Sequence, residues 1–175
     1  MRTNYFICLT IIFICVLPSA KLKAQTDSSN ISSQGVNLQG PRVGVTYISE
    51  GELADQLKDE FNVNPFITQF GWQFEKRFFT LDSGVSGLVE GVLLAGGIEQ
   101  GKILPSGTFL IGVRSANGFE FGFGPNLSLA GVAFAISAGI TLSTDQVNFP
   151  LNFAVVPSPE GVRLSFLMGF NAKTR

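Results

Sequence analysis

The sequence contains no histidine, and its two cysteines, Cys8 and Cys15, both lie near its start. The Ser-His-Asp, Cys-His and zinc-binding arrangements are therefore out of reach once that first segment is removed, as are disulfides and thiol chemistry. Charge is scarce too: 14% of residues are Asp, Glu, Lys or Arg, where a soluble domain carries roughly 25%. The formal net charge is only -1, and no basic run reads as a nucleic-acid patch. Beyond the first segment, no apolar stretch reaches the roughly 20 residues that a membrane helix needs. What the chain has instead is 17 Phe and 20 Gly, within a hydrophobic share of 45%.

Positions 1–24 have the three parts of a secretory signal peptide. Arg2 gives a positive start, Phe6 to Leu17 is apolar, and Pro18, Ser19 and Ala20 break the run before Ala24. Cleavage is expected after Ala24, with Ala20 as the second choice. Ile14 before Cys15 is too large for a lipoprotein site. Loss of Arg2, Lys21 and Lys23 leaves 9 basic against 13 acidic residues, a net charge of about -4. Residues 25–40, rich in Ser, Asn, Gln and Gly, read as a flexible leader, and 41–175 as one β-barrel domain.

After the leader the apolar period is two. Eight strand-like runs fall at about 41–49, 65–79, 85–99, 107–115, 119–125, 127–143, 147–156 and 161–171. In the second, Phe66, Thr68, Phe70, Trp72, Phe74 and Phe78 share one face, opposite Gln69, Gly71, Gln73, Glu75 and Arg77. The fifth alternates Phe119, Phe121 and Phe123 with Glu120, Gly122 and Gly124. The eighth sets Val162, Leu164, Phe166, Met168 and Phe170 against Arg163, Ser165, Gly169 and Asn171, with Leu167 as an exception. A three-residue loop Ala116-Asn117-Gly118, with Gly118 left-handed, joins the fourth and fifth runs. It pairs Arg114 with Glu120 and Ile111 with Phe123, whereas a two-residue turn would oppose Arg114 to Phe121. One helix interrupts the pattern. Ser49 and Glu52 form an S-x-x-E capping box, and Leu53, Leu57 and Phe61 make one stripe, ended by Asn62, Asn64 and Pro65. The stripe suits a connector packed on a barrel end, an interfacial helix or a plug.

Alternation alone fits both a soluble barrel, apolar inside, and a membrane barrel, apolar outside. Side-chain volume decides between them. The polar faces are crowded with Gly, Ala and Ser, which suit the narrow interior of an eight-stranded barrel. The long rows of Phe, Trp, Ile, Leu and Met would not fit there, and facing lipid they meet no penalty. On this reading Glu75, Arg77, Arg114, Glu120 and Arg163 form a structural ion-pair network in the interior. Glu90 joins them only if the third run, apolar on both faces, turns it inward.

Two patterns resemble sites and lack their chemistry. Gly96-Gly97-Ile98-Glu99-Gln100-Gly101-Lys102 fits G-x-x-x-x-G-K. Ile103 then stands where Ser or Thr must hold metal, and Pro105 forbids the following helix. The segment reads as a strand end and turn, with no nucleotide partner. Glu50, Glu52, Asp59 and Glu60 read as a solvated helix face rather than a carboxylate pair. No catalytic, cofactor-binding or metal-binding residue is assigned, and no cofactor is expected.

With its signal peptide, strand count and aromatic rows, the chain resembles the small eight-stranded outer-membrane barrel family, the OmpA/OmpX type, over about residues 41–171. The resemblance implies an all-β, antiparallel up-and-down barrel in the outer membrane of a Gram-negative bacterium. Its partners would be outer-membrane lipid and, during biogenesis, the barrel assembly machinery. It implies no enzymatic activity, and the absent histidine argues against the His-dependent lipid-A-modifying members. Members often end on an aromatic residue; here Asn171-Ala172-Lys173-Thr174-Arg175 follows Phe170. The expected role is structural or one of surface interaction. The alternative is a soluble exported barrel, periplasmic or secreted, that binds an apolar ligand such as a lipid.

Overall fold

The period of two becomes a closed sheet. The computed structural model describes residues 37–143 and 147–174. The expected signal peptide, its cleavage sites and leader positions 25–36 lie outside the described residues. The strands are β1 (Asn37–Ile48), β2 (Phe66–Thr80), β3 (Ser86–Gly96), β4 (Leu104–Arg114), β5 (Phe119–Ser128), β6 (Gly131–Ser143), β7 (Asn148–Ser158), β8 (Gly161–Gly169) and a short β9 (Ala172–Thr174). Helix α1 (Glu52–Phe61) lies between β1 and β2, and a 3-10 helix (Ile98–Gln100) between β3 and β4. Each of β1 to β8 pairs antiparallel with the next, and β1 also pairs with β8, which closes the barrel. Closure removes both sheet edges. The expected up-and-down barrel of eight strands, with one helix after the first, is the fold observed.

The seam extends beyond the expected runs at both of its ends. β1 starts at Asn37 rather than 41, so residues 37–40 of the expected leader are paired with β2. Ala172–Thr174 continues along β1 opposite Asn37–Gln39, so the tail after Phe170 is part of the sheet. Gly40 permits this closeness. A Cβ there would lie 1.7 Å from the Phe170 carbonyl oxygen.

The β4–β5 hairpin has the expected register, with Arg114 opposite Glu120 and Ile111 opposite Phe123. Gly118 is left-handed at φ 83°, and Ser115 N donates to Phe119 O at 2.8 Å. The next turn departs from expectation. β5 runs through Pro125 to Ser128, and the reversal falls at Leu129 and Ala130. Pro125 lacks a backbone donor, and the β4–β5 pairing skips from Ile111–Phe123 to Thr108–Asn126 around it. Pairing on its other side, to Phe134, is kept.

The capping box does not form. α1 has Gly51 at its N-cap with no side-chain cap, because Ser49 still belongs to the seam. Ser49 N donates to Val162 O at 2.8 Å, and Val162 N donates to Ser49 Oγ at 2.8 Å. Asn62 ends the helix in the left-handed conformation, at φ 51°. Of the expected stripe, Leu53 is buried with Ala54, Ile48, Val63 and Ile67, and Leu57 packs against this cluster. Phe61 is exposed. The helix therefore caps one barrel end, the end away from Asn37 and β9.

Candidate functional site

The two faces of the wall are chemically opposite. Outward side chains from all eight strands are large, apolar and exposed, among them Tyr47, Trp72, Leu93, Phe109, Phe123, Phe134, Phe153 and Phe166. Phe123 and Phe134 stack across β5 and β6 with ring centres 5.9 Å apart. Among the described outward positions of β1 to β8, Lys76 is the one charged side chain. Ten residues separate Phe66 from Lys76, about 33 Å along the strand. A tilt of about 40° makes that roughly 25 Å of height, the height of the apolar band of an outer-membrane barrel. Lys76 stands near the Asn37 end of the wall, with exposed Phe78 beyond it.

The inward face holds the charges. Glu75 is buried and accepts from Arg114 twice, Nη1 to Oε1 at 2.5 Å and Nη2 to Oε2 at 2.6 Å. Arg77 Nε adds a third bond to Glu75 Oε1 at 3.1 Å. Arg114 Nε donates to Glu120 Oε1 at 2.8 Å, and Thr141 Oγ1 donates to the same oxygen. Four of the five residues expected in an interior network thus meet: Glu75, Arg77, Arg114 and Glu120. Arg163 does not join them. It lies near the other end, opposite Ile48 and Val156, and Nη1 donates to Ser128 Oγ at 2.7 Å.

One interior charge, Arg42, escaped the sequence reading, which made a second, Glu90, conditional. Arg42 is 1% exposed, and its Nε and Nη2 donate to Gln73 Oε1 at 2.8 Å and Asn171 Oδ1 at 2.7 Å. The alternation of Arg42, Gly44 and Thr46 with Val43, Val45 and Tyr47 was the available sign. Glu90 does face inward and is buried. Of its apolar row neighbours Leu88, Val92 and Leu94, the last two line a space that reaches up to α1.

The inward face also encloses space. Beneath α1 a chamber of about 110 Å³ remains. It reaches from Ile48, Leu53 and Leu57 under the helix to Gln73 and Glu90, and its wall includes Ala135, Ser137, Ala154 and Ser165. Those small side chains leave the volume unfilled.

At the rim, the 3-10 helix sits where the G-x-x-x-x-G-K match falls. Gly97 and Gly101 are left-handed, at φ 79° and 69°. Gln100 Nε2 donates to Phe66 O at 2.9 Å, and Asn64 N donates to Gln100 Oε1 at 2.6 Å. Glu99 accepts from Thr68 N at 3.0 Å and from Thr68 Oγ1. Desolvation pushes the Glu99 carboxyl up, but these bonds outweigh it and hold it down at about 2. The segment is a latch between β2 and the helix exit. Glu50, Glu52, Asp59 and Glu60 are exposed on and beside α1. Among the described residues no three His, Cys, Asp or Glu gather to hold a metal.

No protein-family model matches the sequence, and no curated protein matches it. Solved structures do match in shape. Ail, the attachment invasion locus protein of Yersinia pestis, superposes with a TM-score of 0.51 at 8% identity, covering 80% of this chain and 97% of that one. The de novo designed TMB2.3 gives a TM-score of 0.43 at 11% identity, over 81% of this chain and 98% of its own. At such identities the likeness to Ail is one of fold.

Proposed function

We propose that this chain is an integral outer-membrane β-barrel protein without enzymatic activity, with a structural or surface-interaction role. The observation that carries the reading is the outer wall. Its described outward positions hold a single charge, Lys76, among exposed aromatic and aliphatic side chains, while Arg42, Glu75, Arg114 and Glu120 are buried within. A monomeric soluble protein rarely exposes apolar patches beyond a few hundred Å², and here the patch encircles the molecule. In lipid, a closed barrel also satisfies its backbone groups, which an open sheet cannot. The fold shared with the attachment invasion locus protein supports the same reading.

The connections suggest an orientation. The longest one, residues 49–65, lies at the end away from Asn37, together with the β3–β4 latch. Outer-membrane barrels keep short turns on the periplasmic side and longer loops outside. On that basis α1, with exposed Phe61 and its acidic residues, faces the exterior and is the surface on offer to a partner.

Membrane fractionation, followed by a gel of heated and unheated detergent extract, tests the proposal. Recovery with the outer membrane and a heat-dependent mobility shift are the expected results. Release with soluble periplasmic protein would reject it and leave the exported, ligand-binding barrel.

A further inference from the structure

The chamber beneath α1 has a property that packing does not explain. Seven buried side-chain polar atoms lack a hydrogen-bond partner among the described residues, and five of them belong to residues that line this one cavity. They are Gln73 Nε2, Glu90 Oε1, Asn126 Oδ1, Asn152 Oδ1 and Arg163 Nε. Buried polar groups in folded proteins are almost always paired, so a cluster of orphans round one space calls for something in that space. The orientation of Gln73 is fixed. Its Oε1 accepts from Arg42 Nε, which can only donate, so Nε2 is left as a free donor.

The lining describes the guest. Three orphans are acceptors and two are donors, so the guest must both donate and accept hydrogen bonds. Glu90 and Arg163 put a carboxyl group and a guanidinium on the wall, and a hydroxyl, which both donates and accepts, can meet either. Much of the remaining lining is apolar: Ile48, Leu53, Leu57, Leu110, Val156 and Leu167. The rim between α1 and the β5–β6 turn is apolar as well, formed by Leu57, Leu104, Leu129 and Ala130. A volume of about 110 Å³ is close to the roughly 150 Å³ of an engineered apolar cavity that takes up benzene.

We infer that the capped chamber is a binding site for one small, uncharged, hydroxyl-bearing amphiphile about the size of phenol. Its ring or short chain lies against the aliphatic wall, and its hydroxyl meets the orphaned groups round Gln73 and Glu90. The site is independent of the solvent outside the barrel, and so of whether the wall faces lipid.

Fluorine NMR of 4-fluorophenol added to the folded chain in detergent micelles tests this, with fluorobenzene as the probe that lacks the hydroxyl. The expected result is a saturable bound resonance at one site per chain. Fluorobenzene should bind about tenfold more weakly, the worth of one buried hydrogen bond. Ala135→Leu, which fills the chamber, should abolish the bound resonance while keeping the heat-dependent gel shift of a folded barrel. Should that variant not fold, Ala154→Leu fills the chamber from the neighbouring strand and serves the same purpose. A chamber that holds only water gives no saturable resonance, and that result overturns the inference. So does a resonance that survives filling, or equal binding of both probes.

Discussion

Arg114 and Glu75, 39 residues apart in sequence, meet inside the barrel through two parallel bonds of 2.5 and 2.6 Å. The planar guanidinium matches the carboxylate in the bidentate geometry that makes such pairs strong. The same arginine also holds Glu120, so one side chain ties β2, β4 and β5 together across the interior.

Removing either end of this pair leaves a charge buried without its partner. Glu75→Ala and Arg114→Ala should each lower stability by about 3–5 kcal/mol. The double change Glu75→Leu with Arg114→Met should cost less than the sum of the two, because each single change already breaks the same pair, although it still leaves Glu120 without its arginine. Urea unfolding of the barrel in detergent, read by the heat-dependent gel shift, measures all three. Additive losses would mean that the two residues act separately.

The outer wall makes a depth-dependent demand. Phe123 lies mid-strand on β5, whereas Phe119 starts it at the rim, and both are exposed. In a lipid-facing wall Phe123→Arg should cost about 2–4 kcal/mol and Phe119→Arg about 0–1. In water both would fall within about 0.5 kcal/mol of the parent. Equilibrium unfolding from lipid vesicles reads the difference.

Gly118 closes the β4–β5 turn at φ 83°. A Cβ added there would lie 2.3 Å from the Thr141 carbonyl oxygen on β6. Gly118→Ala should therefore destabilise the barrel by about 1–3 kcal/mol. Asn117→Gly, beside it, should cost less. The same unfolding assay compares the two.

Glu99 titrates far below its ordinary 4.5, at about 2. A lowered carboxylate contributes stability above 4.5 and loses it as pH falls through about 2, so the latch should persist at pH 3. The group is open to solvent, and screening keeps its contribution under about 1 kcal/mol. A carboxyl-resolved NMR titration should place the Glu99 midpoint near 2, and Thr68→Val should raise it toward 4.5. An unchanged midpoint in that variant would remove Thr68 as the cause.

The hairpin could be read from the sequence because one turn length brought both an ion pair and an apolar row into register. The outer wall could be read because Phe66, Phe70, Trp72 and Phe74 differ so plainly from Gln69, Gln73 and Glu75. Where both faces of a strand are apolar, as around Glu90 in β3, period two carries no sign of which way a residue points. There Val92 and Leu94 belong to the apolar wall of an interior space, which exists only in the closed sheet. Ser49 misled for a related reason: it has the residue type of a helix cap, but its backbone is already committed to Val162 across the seam. The chamber had no local signature at all. It arises from small side chains on β6, β7 and β8, such as Ala135, Ser137, Ala154 and Ser165, which enclose a space only when the sheet closes.

The seam between β1 and β8 has a consequence for how the molecule comes into being. Arg42 and Asn171, which lie across it, are 129 residues apart, and the other neighbouring strands are joined by consecutive stretches of chain. The hairpins can therefore assemble one after another, while the ring waits for its two most distant strands to find each other. Until they do, β1 and β8 both present unpaired backbone along their length, an invitation to any other extended chain nearby. A half-made barrel of this kind is a ribbon with two adhesive margins, and something must chaperone those margins until the circle is drawn shut.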